Sequence, residues 1–182
     1  MDKNSQILIL VDDNDNFIGY APRTECHSGK GRRHRAFVIA LYNRNGELLL
    51  QERKHWLWDR FWDLTSAGHP LHLDTKGDES YIAASERCLV DEWSIRGVKL
   101  QNVGAFNYFE SHGESCENEH CALILGEFKG KPNPNPDEAY GFRWLKLSAL
   151  KKEVLENPKK FTPWLIDALP LLDKEKCLNV NP

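Results

Sequence analysis

No stretch of this 182-residue sequence approaches the roughly 20 consecutive apolar residues that cross a bilayer. The opening MDKNSQILILVDD has too short an apolar run for a secretory leader and no small-residue cleavage pattern, so a cytoplasmic protein with no membrane partner is expected. Five cysteines, Cys26, Cys88, Cys116, Cys121 and Cys177, are odd in number and none forms a CxxC pair. That speaks against a disulfide framework or a zinc knuckle and leaves free thiols. Charge of one sign is also missing: 24 Lys and Arg against 27 Asp and Glu give a net charge of -3, with a pI near 6.2. Such a chain has no general attraction for nucleic acid, so an anion has to be met by a local cluster of Lys and Arg. A small-molecule partner and no nucleic acid are expected, with monomer and homodimer both open.

Apolar residues make up 41% and charged residues 28%, an ordinary globular balance. Six Trp and eight Phe supply bulk for a core or a pocket. With no internal repeat or long linker, a single domain over residues 1–182 is expected. ILILV and NFIGYAP around DDND have the pattern of strand, turn, strand. AFVIALY and ELLLQER around Asn43 to Gly46 read as a hairpin. DESYIAASERCLVDEWSI carries Ile82, Leu89 and Trp93 at helical spacing behind acidic residues, the mark of an amphipathic helix. Gly104 to Phe109 and HCALILGEF read as strands joined by a polar loop, ESHGESCEN, and PNPNPDE leads into an edge strand. FTPWLIDALPLL reads as a closing helix, with Thr162 capping it and Pro163 in its first turn. This order predicts an α+β fold, a mixed or antiparallel β-sheet sandwiched between α-helices.

Three groupings of side chains bear on chemistry. His27 and His34 lie in ECHSGKGRRHRAF, His69 in WDLTSAGHP, and Glu117 and Glu119 in CENEHC. The two glutamates are two apart at a strand start, so both leave on one face and can converge on a cation. Imidazole nitrogens with carboxylate oxygens suit Mn, Zn, Fe or Mg ions. By spacing alone each histidine equally fits a surface or core position, and ENE a solvated loop. Cys88, Asp91 and Glu92 share one helix face, where two carboxylates either hold a hard divalent ion against a diphosphate or simply face water. Arg23, Lys30, Arg32, Arg33 and Arg35, with Arg53 and Lys54 further on, offer guanidinium forks that match phosphate oxygens, or form a basic loop without a ligand.

Together these motifs resemble the Nudix superfamily and, within it, the type 1 isopentenyl-diphosphate isomerases. The helix is similar to a Nudix box, GX5EX7REUXEEXGU, with Glu79, Arg87, Leu89, Asp91, Glu92 and Ile95 in register. Cys88 stands at a glutamate of that pattern, Ser94 at its glycine, and HLDTK lengthens the loop after GHP. The isomerase resemblance runs from about Ile7 to Ala168. It implies a Nudix fold and one divalent cation, Mg2+ or Mn2+ with Zn2+ also suited to the histidines, held by His27, His34, His69, Glu117 and Glu119. It also implies a second ion, usually Mg2+, on Glu92, and diphosphate contacts from Arg23 and Arg53. Trp164 of TPW would face a cationic intermediate, and Glu119 with Tyr108 of FNYFES would be catalytic.

The implied reaction turns isopentenyl into dimethylallyl diphosphate by adding a proton at one carbon and removing one from another. That requires an acid and a base on opposite sides of a flat allyl unit, inside a dry pocket. In the resembled family a cysteine serves one side; this chain has Ala67 there, whose methyl group neither gives nor takes a proton. Three activities follow from the pattern: an isomerase-family enzyme using another acid such as Cys116, Tyr108 or water, a Nudix hydrolase of a nucleoside or prenyl diphosphate, and a non-catalytic diphosphate-binding module.

Overall fold

A computed structural model describes residues 5–178. The chain opens with β1 (Ile7–Val11), β2 (Phe17–Pro22) and a short helix α1 (Arg23–Cys26), then forms β3 (His34–Tyr42) and β4 (Glu47–Arg53). Four short strands follow, β5 (Trp62–Asp63), β6 (Ser66–Gly68), β7 (His72–Leu73) and β8 (Gly77–Asp78), before helix α2 (Tyr81–Trp93). The long hairpin β9 (Leu100–His112) and β10 (Ser115–Glu127), strand β11 (Ala139–Lys146), and helices α3 (Leu147–Glu156) and α4 (Pro163–Leu172) complete it.

β3 organises the sheet. One edge pairs in parallel with β10 along its whole length, from His34 opposite Glu119 to Tyr42 opposite Glu127. The other edge meets three strands in turn: β1 at His34, β6 at Phe37 to Ile39, and β4 at Tyr42. The sheet is therefore mixed and forks where β3 and β4 part, and β6 fills the fork. Side chains alternate across β3. Phe37, Ile39 and Leu41 pack on Ala84, Leu89 and Trp93 of α2, while Ala36, Val38 and Ala40 belong to the core that includes α3 and α4. A strand buried on both faces reads as a continuous apolar run, as AFVIALY does.

The expected strands, hairpin, edge strand β11 and amphipathic helix form where the pattern places them. Three details differ. ESHGESCEN is mostly strand, because β9 and β10 run on to a tight turn at Gly113, whose φ of 64° suits glycine. The polarity of Glu110 to Glu114 reflects an exposed hairpin tip, whereas Cys116 and Glu117 are buried. Leu147, Leu150 and Val154 bury one face of α3, a helix that the sequence reading passed over. Thr162 stands at the N-cap of α4 without capping it; its hydroxyl donates to Asp63 instead. Among the described residues no helix is long and apolar enough to cross a membrane.

Helix α2 begins at Ser80, whose hydroxyl accepts from the Ala83 N–H at 3.1 Å, and ends at Ser94 in the left-handed region, φ 55°. A serine Cβ crowds the backbone there, and glycine does not. Ser94→Gly is expected to raise the unfolding free energy by about 0.5–1 kcal/mol, measured by urea denaturation; an unchanged or lower midpoint would contradict the strain assigned to this cap.

Candidate metal and diphosphate site

Register across three strands builds the centre of the site. His34 on β3 lies opposite Glu119 on β10, and Glu119 opposite Tyr108 on β9, so the three side chains stand in one row on one face. The Tyr108 hydroxyl donates to Glu119 Oε2. Glu117, two residues earlier on β10, leaves on the same face. His27 is brought to the row by the loop after α1, which doubles back beside β10: the Cys116 N–H donates to the His27 carbonyl at 3.0 Å. Gly31 permits that reversal, with φ 59° and a Cβ that would fall 2.5 Å from the Cys26 carbonyl oxygen.

His69 arrives from the other side of the fork, one residue after β6. Arg87 of α2 donates to its carbonyl at 3.1 Å and grips Glu79 with two hydrogen bonds of 2.9 and 2.7 Å. Glu79 in turn accepts from the Leu71 N–H at 3.0 Å. The first glutamate and the arginine of the box-like pattern therefore brace the turn that presents His69.

The five side chains His27, His34, His69, Glu117 and Glu119 are all buried, and one ligand atom from each lies within 4.8 Å of the others. Their surroundings fit a cation. His27 Nδ1 and His34 Nδ1 face the carbonyl oxygens of Cys116 at 3.1 Å and Arg32 at 2.7 Å, which fixes the outer N–H and turns Nε2 inward. His27 Nε2 is buried without a hydrogen-bond partner among the described residues, while His34 Nε2 lies 3.4 Å from Glu119 Oε1 and Glu117 Oε2 lies 3.0 Å from His27 Nδ1; an unsatisfied buried nitrogen is costly unless something else meets it.

Electrostatics agree. Burial pushes Glu117 well above the usual carboxylate range, with the charge of Glu119 adding to it. Burial opposes ionisation of Glu119 too, but the imidazoles of His34 and His69 outweigh it and hold that group well down. His34 is raised to about 9, because contacts with Cys26 and Glu119 override the effect of burial. Burial and the nearby Arg23 lower His69, and burial lowers His27. Burial beside Glu119 sends the Tyr108 hydroxyl well up. The cluster favours positive charge at its centre and resists having every carboxylate ionised without it. A divalent ion would displace protons on binding, so its hold weakens in acid.

The cluster opens on a cavity of about 680 Å³ whose lining includes Arg23, Arg53, Ala67, Glu92, Tyr108 and Trp164. The cavity thus gathers the remaining residues singled out in the sequence, but not all are free to act as expected. The Arg53 guanidinium donates to buried Asp63 at 2.9 Å and lies 5.0 Å over the Trp164 ring. Glu92 accepts from the Ser66 hydroxyl and from the Cys88 thiol at 3.4 Å. Cys116, a possible proton donor by sequence, is fully buried with its sulfur against the Cys26 carbonyl, outside the cavity lining. Cys88 and Cys121 are the thiols that line it. Trp58 packs beneath Trp164 at 5.1 Å between ring centroids, while Trp56 is 72% exposed.

Asp63 escaped the sequence reading. It is wholly buried and accepts from Arg53, Thr162, the Leu64 N–H and the Trp164 indole N–H, the last at 2.8 and 2.9 Å to its two oxygens. A single acidic residue in WDLTS gives no sign of partners a hundred residues away. Gln51, 3% exposed and in the cavity lining, was also unremarked, hidden in the apolar run of β4.

The NUDIX domain family model matches residues 32–165. The chain belongs to the Nudix family. Curated relatives of this Nudix chain carry the name Isopentenyl-diphosphate Delta-isomerase. The Serratia proteamaculans protein is 36% identical over 164 residues, 88% of either chain, and that of Haloarcula marismortui is 32% identical over 87% of either. Solved structures share the fold. DR0079 of Deinococcus radiodurans superposes with a TM-score of 0.70 at 17% identity, covering 91% of this chain and 98% of that one. The MutT protein of Methanosarcina mazei gives 0.61 at 18% identity, covering 79% and 95%. The α+β Nudix fold with its mixed sheet is thereby established.

Removing a partner from a buried, fully bonded carboxylate leaves charge and polar groups stranded. Asp63→Ala is expected to cost about 3–5 kcal/mol of stability, read from urea unfolding, while Asp63→Asn retains more of it. A loss below about 1 kcal/mol in the alanine variant would show that the network does not hold Trp164 in place.

Proposed function

We propose that this Nudix chain is a divalent-cation-dependent enzyme of the isopentenyl-diphosphate isomerase kind, acting on a small isoprenoid diphosphate. The observation that carries the reading is the row His34–Glu119–Tyr108, completed by His27, His69 and Glu117 beside an open cavity. The names of the curated relatives support it. Bound there, a divalent ion would supply positive charge that keeps Glu119 ionised and offsets the diphosphate. Three imidazoles with two carboxylates suit Mn2+ or Zn2+ better than Mg2+, which favours oxygen ligands such as Glu92 and a diphosphate. Glu92 is the proposed holder of a second ion at the diphosphate end.

The chain's own groups then divide the work. Glu119 Oε2 and the Tyr108 hydroxyl, already hydrogen-bonded, hold the proton exchanged with carbon on one face of the allyl unit. Trp164, 4% exposed and pinned by Asp63, presents an aromatic surface at which positive charge on carbon is stabilised. Burial of these groups keeps water from capturing that charge. Ala67 also lines the cavity and offers nothing but a methyl group, so a proton on that side comes from water.

Ala67 is also the observation that favours a second reading, a hydrolase of prenyl or nucleoside diphosphates. Isopentenyl diphosphate with Mg2+ and Mn2+, followed by NMR for dimethylallyl diphosphate and for released phosphate, separates the two. Slow isomerisation is expected, rising about 100-fold or more in Ala67→Cys. Phosphate release without isomerisation would transfer the reading to hydrolysis, and no turnover in either form would leave only a binding role. Elemental analysis checks the cation independently: His69→Ala and Glu119→Ala should each lose bound metal, and unchanged metal content would sink the assignment.

A further inference from the structure

His69 differs from its two partners in what stands behind it. Where His27 and His34 have carbonyl oxygens at Nδ1, His69 has a guanidinium: Arg23 Nη1 lies 2.9 Å from its Nδ1. Arginine only donates. Nδ1 must then carry the lone pair and Nε2 the ring proton, which is donated to Glu119 Oε1 at 2.9 Å. Ligation of a cation by Nε2, the nitrogen on the cluster side, needs the reverse tautomer, with the proton on Nδ1. Arg23 and a cation therefore compete for one imidazole.

Arg23 is well placed to move. It is the first residue of α1, and its only other side-chain hydrogen bond among the described residues is to the neutral Gln6 Oε1, at 3.1 Å. By contrast the other guanidiniums of the cavity, Arg53 and Arg87, are tied to Asp63 and Glu79. Arg23 lines the same cavity as Glu92 and Glu119, within reach of an anion bound there.

We propose that Arg23 is a coupling residue: cation ligation by His69 expels the guanidinium from Nδ1 and delivers it to the phosphate oxygens of the ligand. The ring keeps one proton throughout; one leaves Nε2 to solvent and one is taken up at Nδ1. The inference rests on the cation reading of the cluster and goes beyond it, because it makes cation and anion binding reinforce each other through a single side chain.

The test titrates the full chain and Arg23→Met with Mn2+ by calorimetry, with and without inorganic diphosphate, alongside a crystal structure of the unmodified chain with Mn2+. Because Arg23 competes with the cation for the imidazole, the Met variant is expected to bind Mn2+ about tenfold more tightly, and diphosphate should strengthen Mn2+ binding less in the variant than in the parent. In the crystal, Arg23 should lie beyond hydrogen-bond distance of His69 Nδ1. Loss of a positive charge alone would also tighten Mn2+ binding, so the crystal decides: Mn2+ on His69 Nε2 with Arg23 still bonded to Nδ1 overturns the coupling. Equal Mn2+ affinity in the two proteins overturns it as well. A parent chain that takes up no Mn2+ defeats the cation reading first. The crystallographic arm needs no variant and stays decisive if Arg23→Met does not fold.

Discussion

The parallel register of β3 against β10 is the constraint on which the rest depends. It sets His34 opposite Glu119, and the antiparallel register of β9 adds Tyr108 to the same row. A slip of one residue would turn Glu119 away from the row, because side chains alternate across a strand. The apolar run Phe37 to Leu41 prevents the slip. It packs α2 on one face and the core of α3 and α4 on the other, so a shifted β3 would lose both. Core packing thus fixes the geometry of a polar site at the end of the same strand.

Charge explains why such a site calls for cations. Among the cavity guanidiniums, Arg53 and Arg87 are already committed to Asp63 and Glu79, and Arg23 is held by the neutral groups His69 and Gln6. Glu117 and Glu119 face the cavity from the cluster and Asp91 and Glu92 from α2. A diphosphate entering this space would meet several carboxylates beside Arg23 and Lys76, and positive ions shared between carboxylate and phosphate oxygens would favour its burial. In the proposed site, the buried Nε2 of His27, without a hydrogen-bond partner among the described residues, is where one of them would fit.

Much of this was legible in the sequence, for a physical reason. The motifs are short and each is confined to one element: ENE on a strand start, AGHP in a turn, the box pattern on one helix. Local rules of period and capping place such residues well. What was not legible depends on contacts far apart in sequence. Asp63 receives Trp164 and Thr162, so the residue that looked like a helix cap is spent on a carboxylate 99 positions away. Arg53, a basic residue suited to phosphate by its type, is neutralised by the same Asp63. The turn residue His69 showed its imidazole but not the arginine behind it. ESHGESCEN reads as loop because the polarity of its first half records exposure and that of Glu117 a buried polar cluster, neither of which reports backbone conformation.

In the proposed site His34, Glu117 and Glu119 of β3 and β10, with His27 from the loop after α1 and His69 from the turn after β6, together hold one divalent ion. Pulsed EPR of the Mn2+-loaded protein addresses this central claim directly, since nitrogen-14 couplings report imidazoles bound to the ion. Couplings from three histidines are predicted, with one lost on replacing each of His27, His34 and His69 by Gln. Mn2+ bound with no imidazole coupling would contradict the claim and place the ion among the carboxylates of α2 instead.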